Sequence, residues 1–506
     1  MTHVQFNNLA RLADNDDNVA IATQRIELDT SVNGPNGQFR IPHTILEGHR
    51  FVIKPISAGD PLFSWALPFG TAIRDLSPGE YVCNEKILTA LAQRNIDFDL
   101  PRQANFLDVM LEHQIDTTNF SPGRQVPRNS ETETFLGYRR PGRRGVGTRN
   151  FIVVLAVTVK SAAFARQIES KYASRNLGKN IDGVIAVTHT EGDGTLSPNN
   201  YSLVMRTLAG FMVHPNVGAV QVVDYGDGTF TADHLRQFAL DNNYPLDQTL
   251  HEFQTIESSN DRALLEASKT IDQWIPIIDK QVRSEEPVEN ISLALQCGGS
   301  DAFSGISGNP LAGSVAKEVI RRGGRANLAE TDELIGAESY VLSNVKDLPT
   351  AELFLEKIRN FKQYAANHGA SAEGNPSGGN NFRGLYNIAL KSIGAARKKD
   401  PEVRLDAVID YGAPMTDSGY YFMDSPGNDL ESIAGQVASG CNMILFITGN
   451  GSITNFPFVP TLKFVTTTGR FEMLSNEMDV NAGRYNDGES MENLSQETFE
   501  LTTRIA

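Results

Sequence analysis

Uninterrupted apolar runs of strand length, alternating with segments of helical spacing, constrain this chain more than any other feature. Phe151-Ile152-Val153-Val154-Leu155-Ala156-Val157 is the first, and Val184 to Val187 and Val220 to Val223 follow. Residues 161–170, 201–212 and 232–240 space their apolar side chains as amphipathic helices do. A strand without polar alternation is covered on both faces, which predicts parallel strands joined by right-handed helical crossovers. A long helix expected over about 261–282 leads to an apolar run at 290–295, and the rhythm resumes at 407–410 and 443–447. The spacing thus predicts two parallel-sheet α/β domains, over 136–285 and 286–506.

The N-terminal third reads differently. Residues 1–37 are polar and end in Asn33-Gly34-Pro35-Asn36-Gly37, so they are expected to form an arm, one that could be exchanged between subunits. Over 38–100, short apolar runs are punctuated by Ala58-Gly59-Asp60-Pro61 and Ser77-Pro78-Gly79, which predicts a small, mostly β module. Residues 101–135 are polar and read as a linker or strap.

Composition narrows the function. With 40% hydrophobic and 21% charged residues the chain is neither disordered nor fibrous. A formal net charge of −16 argues against nucleic acid or an anionic membrane as partner. Cys83, Cys297 and Cys441 are far apart with no CxxC pair, so neither a disulfide framework nor a zinc ribbon is encoded. The N-terminus carries no signal-peptide pattern and no stretch approaches a membrane span, so a cytoplasmic protein is expected.

Ligands of open parallel sheets bind beyond the carboxyl ends of the strands. Four glycine-rich polar turns follow strands here: 188–194, 224–228, 297–301 and 448–452. Their amides can face an anionic ligand, although such turns also serve as plain βα connections. His189 and His214 fall in the same layer, as bases, ligands or hydrogen-bonded structural residues. No GxGxxG or GxxxxGK[ST] follows a strand, so no nucleotide cofactor is expected.

Cys297-Gly298-Gly299-Ser300-Asp301, continuing through Ser304-Gly305 and Asn309-Pro310 to Gly313, carries a specific resemblance together with Glu330, Glu333 and Gly336-Ala337-Glu338. The stretch resembles the altronate and galactarate dehydratase family, whose members show CGGSDxxSGxxxNPxxG and then ExxExxGAE. Further along the chain, Gly145-Val146-Gly147-Thr148-Arg149-Asn150, His214-Pro215-Asn216, Asn375-Pro376-Ser377, Met423-Asp424-Ser425-Pro426-Gly427 and Met478-Asp479-Val480-Asn481 match family elements, as does the turn 448–452. Residues 47–93 resemble the family's N-terminal SAF-like domain.

The resemblance implies a hydro-lyase that dehydrates a sugar acid or related hydroxy acid to a 2-keto-3-deoxy acid, with a divalent metal such as Fe²⁺, Mn²⁺ or Mg²⁺ and no iron–sulfur cluster. Such chemistry needs a base for the proton beside the carboxylate, cations for the enediolate and an acid for the departing hydroxyl. It suggests Asp301, Ser304, His189, His214, Glu330, Glu338 and Lys463 as catalytic residues. Arg149, Cys297, Ser300, Asn309, Asp424, Ser452 and Asn481 are the substrate-binding candidates, and Asp193, Asp227 and Asp479 the metal candidates. Asp332 and Glu333 read instead as capping or surface carboxylates. A homo-oligomer is expected.

Departures from the family pattern are concentrated at the strand ends. Lys160, Asp193 and Asp227 stand where the family usually has cysteines, and could form a metal-free salt-bridged trio or a hard oxygen site. The module carries Val82-Cys83-Asn84-Glu85-Lys86 in place of VHxHN, and Asn450 and Asn381 replace an arginine and a lysine. Those changes point to a different substrate, to a leaving group other than water, or to a relative that binds an acid or a partner subunit without turnover.

Overall fold

A computed structural model describes residues 4–110, 112–129, 133–192, 200–228, 230–256, 260–371 and 375–506. The first apolar runs form β1 (Phe151–Ala156), β2 (Gly183–Val187) and β3 (Val217–Asp224), joined by β4 (Leu250–Thr255), in the order β2-β1-β3-β4 with every pairing parallel. Alternate side chains of β1 serve opposite faces: Val153 and Leu155 pack with Met205 and Leu235, Ile152 and Val154 with Phe164 and Ile271. The first pair of partners comes from α2 (Tyr201–Val213) and α3 (Ala232–Asp241), the second from α1 (Ala162–Tyr172) and α4 (Asn260–Ile278). Double coverage is why these strands carry no polar alternation.

The C-terminal sheet is larger. Its strands are β5 (Ser292–Cys297), β6 (Arg325–Leu328), β7 (Leu405–Ile409), β8 (Gly419–Met423), β9 (Met443–Thr448), β10 (Thr461–Val465) and β11 (Val480–Asn481). Their order is β7-β8-β6-β5-β9-β10-β11, again all parallel. The chain winds outward from β5 through β6, then returns to the opposite side of β5 at β9. The order therefore reverses between β5 and β9, and a crevice opens beyond their carboxyl ends. Helices α5 (Asn309–Arg321), α6 (Ile388–Ala396) and α7 (Asp429–Ala438) pack around that end. Every residue of α6 is buried, Lys391 included.

The expected α/β class stands, with a small mostly β module ahead of two parallel-sheet domains. The expected N-terminal arm does not. Residues 4–40 contain five short strands, and Phe6, Leu9, Val19, Ile21 and Val32 lie in the module's core. Polar turn residues dominate the composition there because the strands are only two to four residues long, so few apolar positions suffice to anchor them. Phe106–Asp108, expected in the linker, pairs with Leu67–Ala72 and closes the module's last sheet. Residues 112–129 run along the C-terminal domain: the Gly123 N–H donates to the Val345 carbonyl at 2.7 Å, and Phe120 and Val126 pack on the C-terminal core. Module and C-terminal domain share one continuous core. Among the described residues no helix is long and apolar enough to cross a membrane.

Asp17 shows what the first residues do. The hairpin Pro61–Ser64 to Leu67–Ala72 turns through Trp65 and Ala66 at φ +55° and +56°, a conformation that favours Asn-Gly. The buried Asp17 carboxylate accepts the Trp65 N–H at 3.1 Å and the Ala66 N–H at 2.8 Å, which holds the turn. Trp65 in turn donates its Nε1–H to the Gly305 carbonyl at 3.2 Å, tying the module to the C-terminal domain. Replacing Asp17 by Ala is expected to cost roughly 2–4 kcal/mol through the N–H groups it strands. Thermal unfolding followed by Trp fluorescence should show a lowered midpoint, with Asp17→Asn falling between the two.

Candidate active site

The loops after β5 and β9 lie against each other at the reversal point. A side chain at Gly299 would place its Cβ 2.1 Å from Asn450 Oδ1, so only glycine lets them approach this closely. Asn450 is locked in turn: its Oδ1 accepts from the Ser452 N–H and the Thr448 hydroxyl, both at 3.0 Å. Beyond these loops is a cavity of about 350 Å³ lined by Gly298, Gly299, Asn450, Glu333, Lys391 and Arg383, together with Ser377, Asn380, Asn428 and Asp429. Its charged groups come from four separate segments that meet only at the strand ends.

Lys391 projects from the buried face of α6 and donates to Glu333 Oε1 at 2.5 Å and to Asn375 Oδ1 at 2.8 Å. Glu333 Oε2 has no hydrogen-bond partner although its atom is buried. Burial pulls the Lys391 ammonium down, but the Glu333 carboxylate more than offsets it, and the pKa lies above the usual lysine value. Asp429 opens α7 at the cavity's edge. Burial raises its carboxyl, against a hydrogen bond from Gln296 Nε2 at 3.4 Å that lowers it.

Behind the cavity wall lies a second, fully buried ion pair, Glu330 with Lys398. Glu330 Oε1 also accepts from Gln296 Nε2 at 2.6 Å, and Oε2 from the Cys297 N–H at 3.2 Å. Burial pushes the Glu330 carboxyl well up and Lys398 opposes it. Glu330 itself is held at φ +70°, a left-handed conformation that costs a non-glycine residue about 1–3 kcal/mol. That backbone reversal lets residue 330 bond behind the wall while residue 333, one turn on, faces the cavity.

Of the residues proposed from sequence, several surround this site without lining the cavity. Cys297 Sγ is 3.1 Å from Ser300 Oγ, Asn309 Nδ2 donates to Cys297 Sγ at 3.6 Å, and burial raises the thiol to about 11. Ser452 Oγ accepts from the Gly299 N–H at 3.2 Å. Asp301 accepts from the Ser304 N–H at 2.8 Å and the Thr466 hydroxyl at 2.8 Å, so with Ser304 it ties the β5 loop to the end of β10.

Others lie elsewhere. Arg149 spends its Nη1 on the carbonyls of Thr148 and Ile505, at 2.6 and 2.9 Å. His214 Nε2 donates to the Cys441 carbonyl at 3.0 Å while Nδ1 accepts from Asn216, and full burial lowers its pKa to about 3, so it stays neutral as a clasp between the two α/β domains. His189 stands at the end of β2, with Nδ1 accepting from the Glu191 N–H at 3.2 Å. Glu338 Oε2 accepts from the Gly336 N–H at 2.9 Å, and Asp424 Oδ1 from the Thr331 hydroxyl at 2.7 Å. Lys463 pairs with Asp479 at 3.1 Å, and Asn481 bonds with Thr468.

The metal candidates do not converge. Asp227 pairs with Lys160 at 3.1 Å and Asp479 with Lys463, while Asp193 lies outside the described residues. Among the described residues no three His, Cys, Asp or Glu side chains are placed to hold an ion. The donors described here do not fit a metal, and no chemical step is assigned to one.

Sequence reading set Glu333 aside as a capping or surface carboxylate and passed over Lys391, Arg383, Asp429 and Lys398. Glu333 was expected at the surface, but it is buried by Lys391, which lies 58 residues away in sequence. The available signal was a lysine inside the apolar run Ile388-Ala389-Leu390-Lys391-Ser392-Ile393, where a charge requires a partner. The buried pair behind the wall gives a sharp expectation. Lys398→Met leaves an unpaired buried carboxylate and should cost about 3–5 kcal/mol, whereas Glu330→Gln combined with Lys398→Met should cost much less than the two single changes added. Denaturant titration of the four proteins measures that coupling.

Comparison with known proteins agrees with this layout. The SAF domain model of altronate/galactarate dehydratases matches residues 9–90, the second-domain model of D-galactarate dehydratase/altronate hydrolase matches 137–279, and the C-terminal model of D-galactarate/altronate dehydratase matches 288–506. The altronate dehydratase of Escherichia coli (strain K12) is 29% identical over 97% of this chain and 93% of that protein. The altronate dehydratase of Bacillus subtilis (strain 168) is 27% identical over 92% and 88%. The (2R)-sulfolactate sulfo-lyase subunit beta of Chromohalobacter salexigens is 28% identical over 69% of this chain and 85% of that subunit. With three consecutive family models spanning most of its length, the chain belongs to the D-galactarate/altronate dehydratase family of enzymes.

Proposed function

We propose that the strand-end cavity dehydrates a sugar acid to its 2-keto-3-deoxy acid. The observation that carries this reading is the Glu333–Lys391 pair, a carboxylate with one free oxygen beside an ammonium, in a cavity at the sheet's reversal point. Arg383 and Lys391 bind the substrate carboxylate and stabilise the negative charge that grows on it. Glu333 removes the proton from C2 and the C2–H electron pair becomes the C2–C3 double bond. The C3–O bond breaks, the hydroxyl takes a proton from Asp429, and water leaves. The enol then takes up a proton at C3 and becomes the ketone. The amides of Asn380, Asn428 and Asn450 suit the remaining hydroxyls.

A second reading keeps the cavity and changes the leaving group. The match to a sulfolactate sulfo-lyase subunit supports elimination of sulfite from a 3-sulfo-2-hydroxy acid, which needs the same base and the same cations but no acid for the departing group.

Incubating the protein with altronate, galactarate and sulfolactate, and reading 2-keto acid and sulfite separately, distinguishes the two. Dehydration predicts 2-keto acid without sulfite, and loss of about 10²–10⁴ in kcat for Glu333→Gln and for Asp429→Asn. Sulfite release with Asp429→Asn still active would favour the second reading. Turnover unaffected by Glu333→Gln would sink both. Because burial raises the Asp429 carboxyl, its protonated form survives to higher pH than an ordinary aspartic acid. Activity should therefore fall on the alkaline side as that group ionises, and Asp429→Asn should flatten this limb.

A further inference from the structure

A larger cavity, about 740 Å³, lies between the β module and the segment that connects β10 to β11. The module side presents Asn7, Asn8, Gln24 and Glu47, and the C-terminal side Thr467 and Arg470. Asp301 and its loop separate it from the strand-end cavity: Thr466 holds the Asp301 carboxylate on one side, and Gly449 packs against that carboxylate on the other.

Charge in this cleft is sparse and specific. Arg11, also on its wall, is committed to backbone carbonyls, with Nη1 donating to Ala10 at 3.0 Å and Nη2 to Asn486 at 2.6 Å. Asp487 is engaged by the Thr468 hydroxyl. Arg470 donates from its Nη1 to the Met473 thioether at 3.8 Å; among the described residues it has no carboxylate within salt-bridge distance, although its charge partly offsets the upward push of burial on the Glu47 carboxyl. The remaining wall is mostly amide and hydroxyl. One uncommitted guanidinium facing a wall of neutral hydrogen-bonding groups suits a ligand with one anionic end and many hydroxyls. A phosphate dianion would be repelled by Glu47 and Asp487 and would find one guanidinium, Arg470, that is not already bound to backbone carbonyls.

We propose that this cleft is a second binding site, for a polyhydroxylated monocarboxylic acid, with Arg470 on its carboxylate and Glu47, Asn8 and Gln24 on its hydroxyls. The site is separate from the chemistry assigned to Glu333 and Lys391, so each can fail alone. Occupancy would bridge the module and the C-terminal domain, since the proposed contacts come from both.

The test uses full-length protein in which Glu333→Gln, Lys391→Met and Arg383→Gln together remove the base and both cations of the strand-end cavity without leaving a lone buried charge. Calorimetric titration with altronate should show one bound equivalent, and adding Arg470→Gln should weaken it at least tenfold, while inorganic phosphate should not compete. No binding in the first variant, binding indifferent to Arg470→Gln, or displacement by phosphate would each overturn the proposal. A readout in the otherwise unchanged chain guards against misfolding: altronate should slow amide hydrogen exchange over 467–470, and Arg470→Gln should abolish that slowing. Unchanged exchange there in the parent chain would also overturn it. Turnover of altronate by the parent chain is scored independently and bears only on the strand-end cavity.

Discussion

Two lysine–glutamate pairs buried at the carboxyl ends of the C-terminal sheet organise the site. Lys398 with Glu330 lies behind the cavity wall, and Lys391 with Glu333 forms part of the wall itself. Burial of four charges is tolerable only if each is paired and hydrogen-bonded, and these pairs recruit Gln296, the Cys297 N–H and Asn375 to that end. Since Gln296 and Cys297 end β5, the chain's own electrostatics fix the strand from which the glycine loop departs. The left-handed Glu330 is the local strain this arrangement requires. A wall held by such pairs is stiff, which suits the enediolate stabilisation proposed for this cavity.

The β module matters to this site as a buttress. Its core is continuous with that of the C-terminal domain, and Trp65 reaches Gly305, just after the Asp301–Ser304 turn. Arg50, fully buried, donates to the Gly384 carbonyl at 2.8 Å, and the Tyr386 hydroxyl accepts from its N–H at 2.7 Å. Those contacts hold the segment between Arg383, which faces the cavity, and α6, which carries Lys391. An N-terminal element that contributes no side chain to the cavity thereby places two of the four segments that carry its charged groups.

Periodicity made the sheets legible. The runs at 151–157, 220–223 and 443–447 became central strands because double-sided burial leaves a local trace in composition. β4, β6, β8, β10 and β11 were not anticipated: Leu250–Thr255 mixes polar and apolar residues, Thr461–Val465 is interrupted by Lys463, and Arg325–Leu328, Gly419–Met423 and Val480–Asn481 are too short or too polar to stand out as apolar runs even where they are central. The first forty residues were misread because very short strands need few apolar anchors. The family-like segment 297–313 did mark the right strand end, yet most of its polar side chains turned out to bind one another or the backbone. The side chains that line the cavity are paired across distances in sequence that no local pattern encodes, as with Glu333 and Lys391.

The strand ends of the middle domain pose a contrasting case. Lys160 and Asp227 neutralise each other there, 37% and 66% exposed, whereas the C-terminal pairs are almost wholly buried. An exposed pair of this kind is screened by water and contributes little energy. Among the described residues, the C-terminal sheet combines a reversal of strand order with desolvated lysine–glutamate pairs and a cavity. In the middle sheet β2 and β3 also flank β1, so a reversal exists, but the buried Asp224 carboxylate at the end of β3 is taken up by the Tyr225 and Ala232 N–H groups, and the Lys160–Asp227 pair is exposed. Topology therefore offers a strand-end site in both domains, and the buried lysine–glutamate pairs are what favour the C-terminal one for the proposed chemistry.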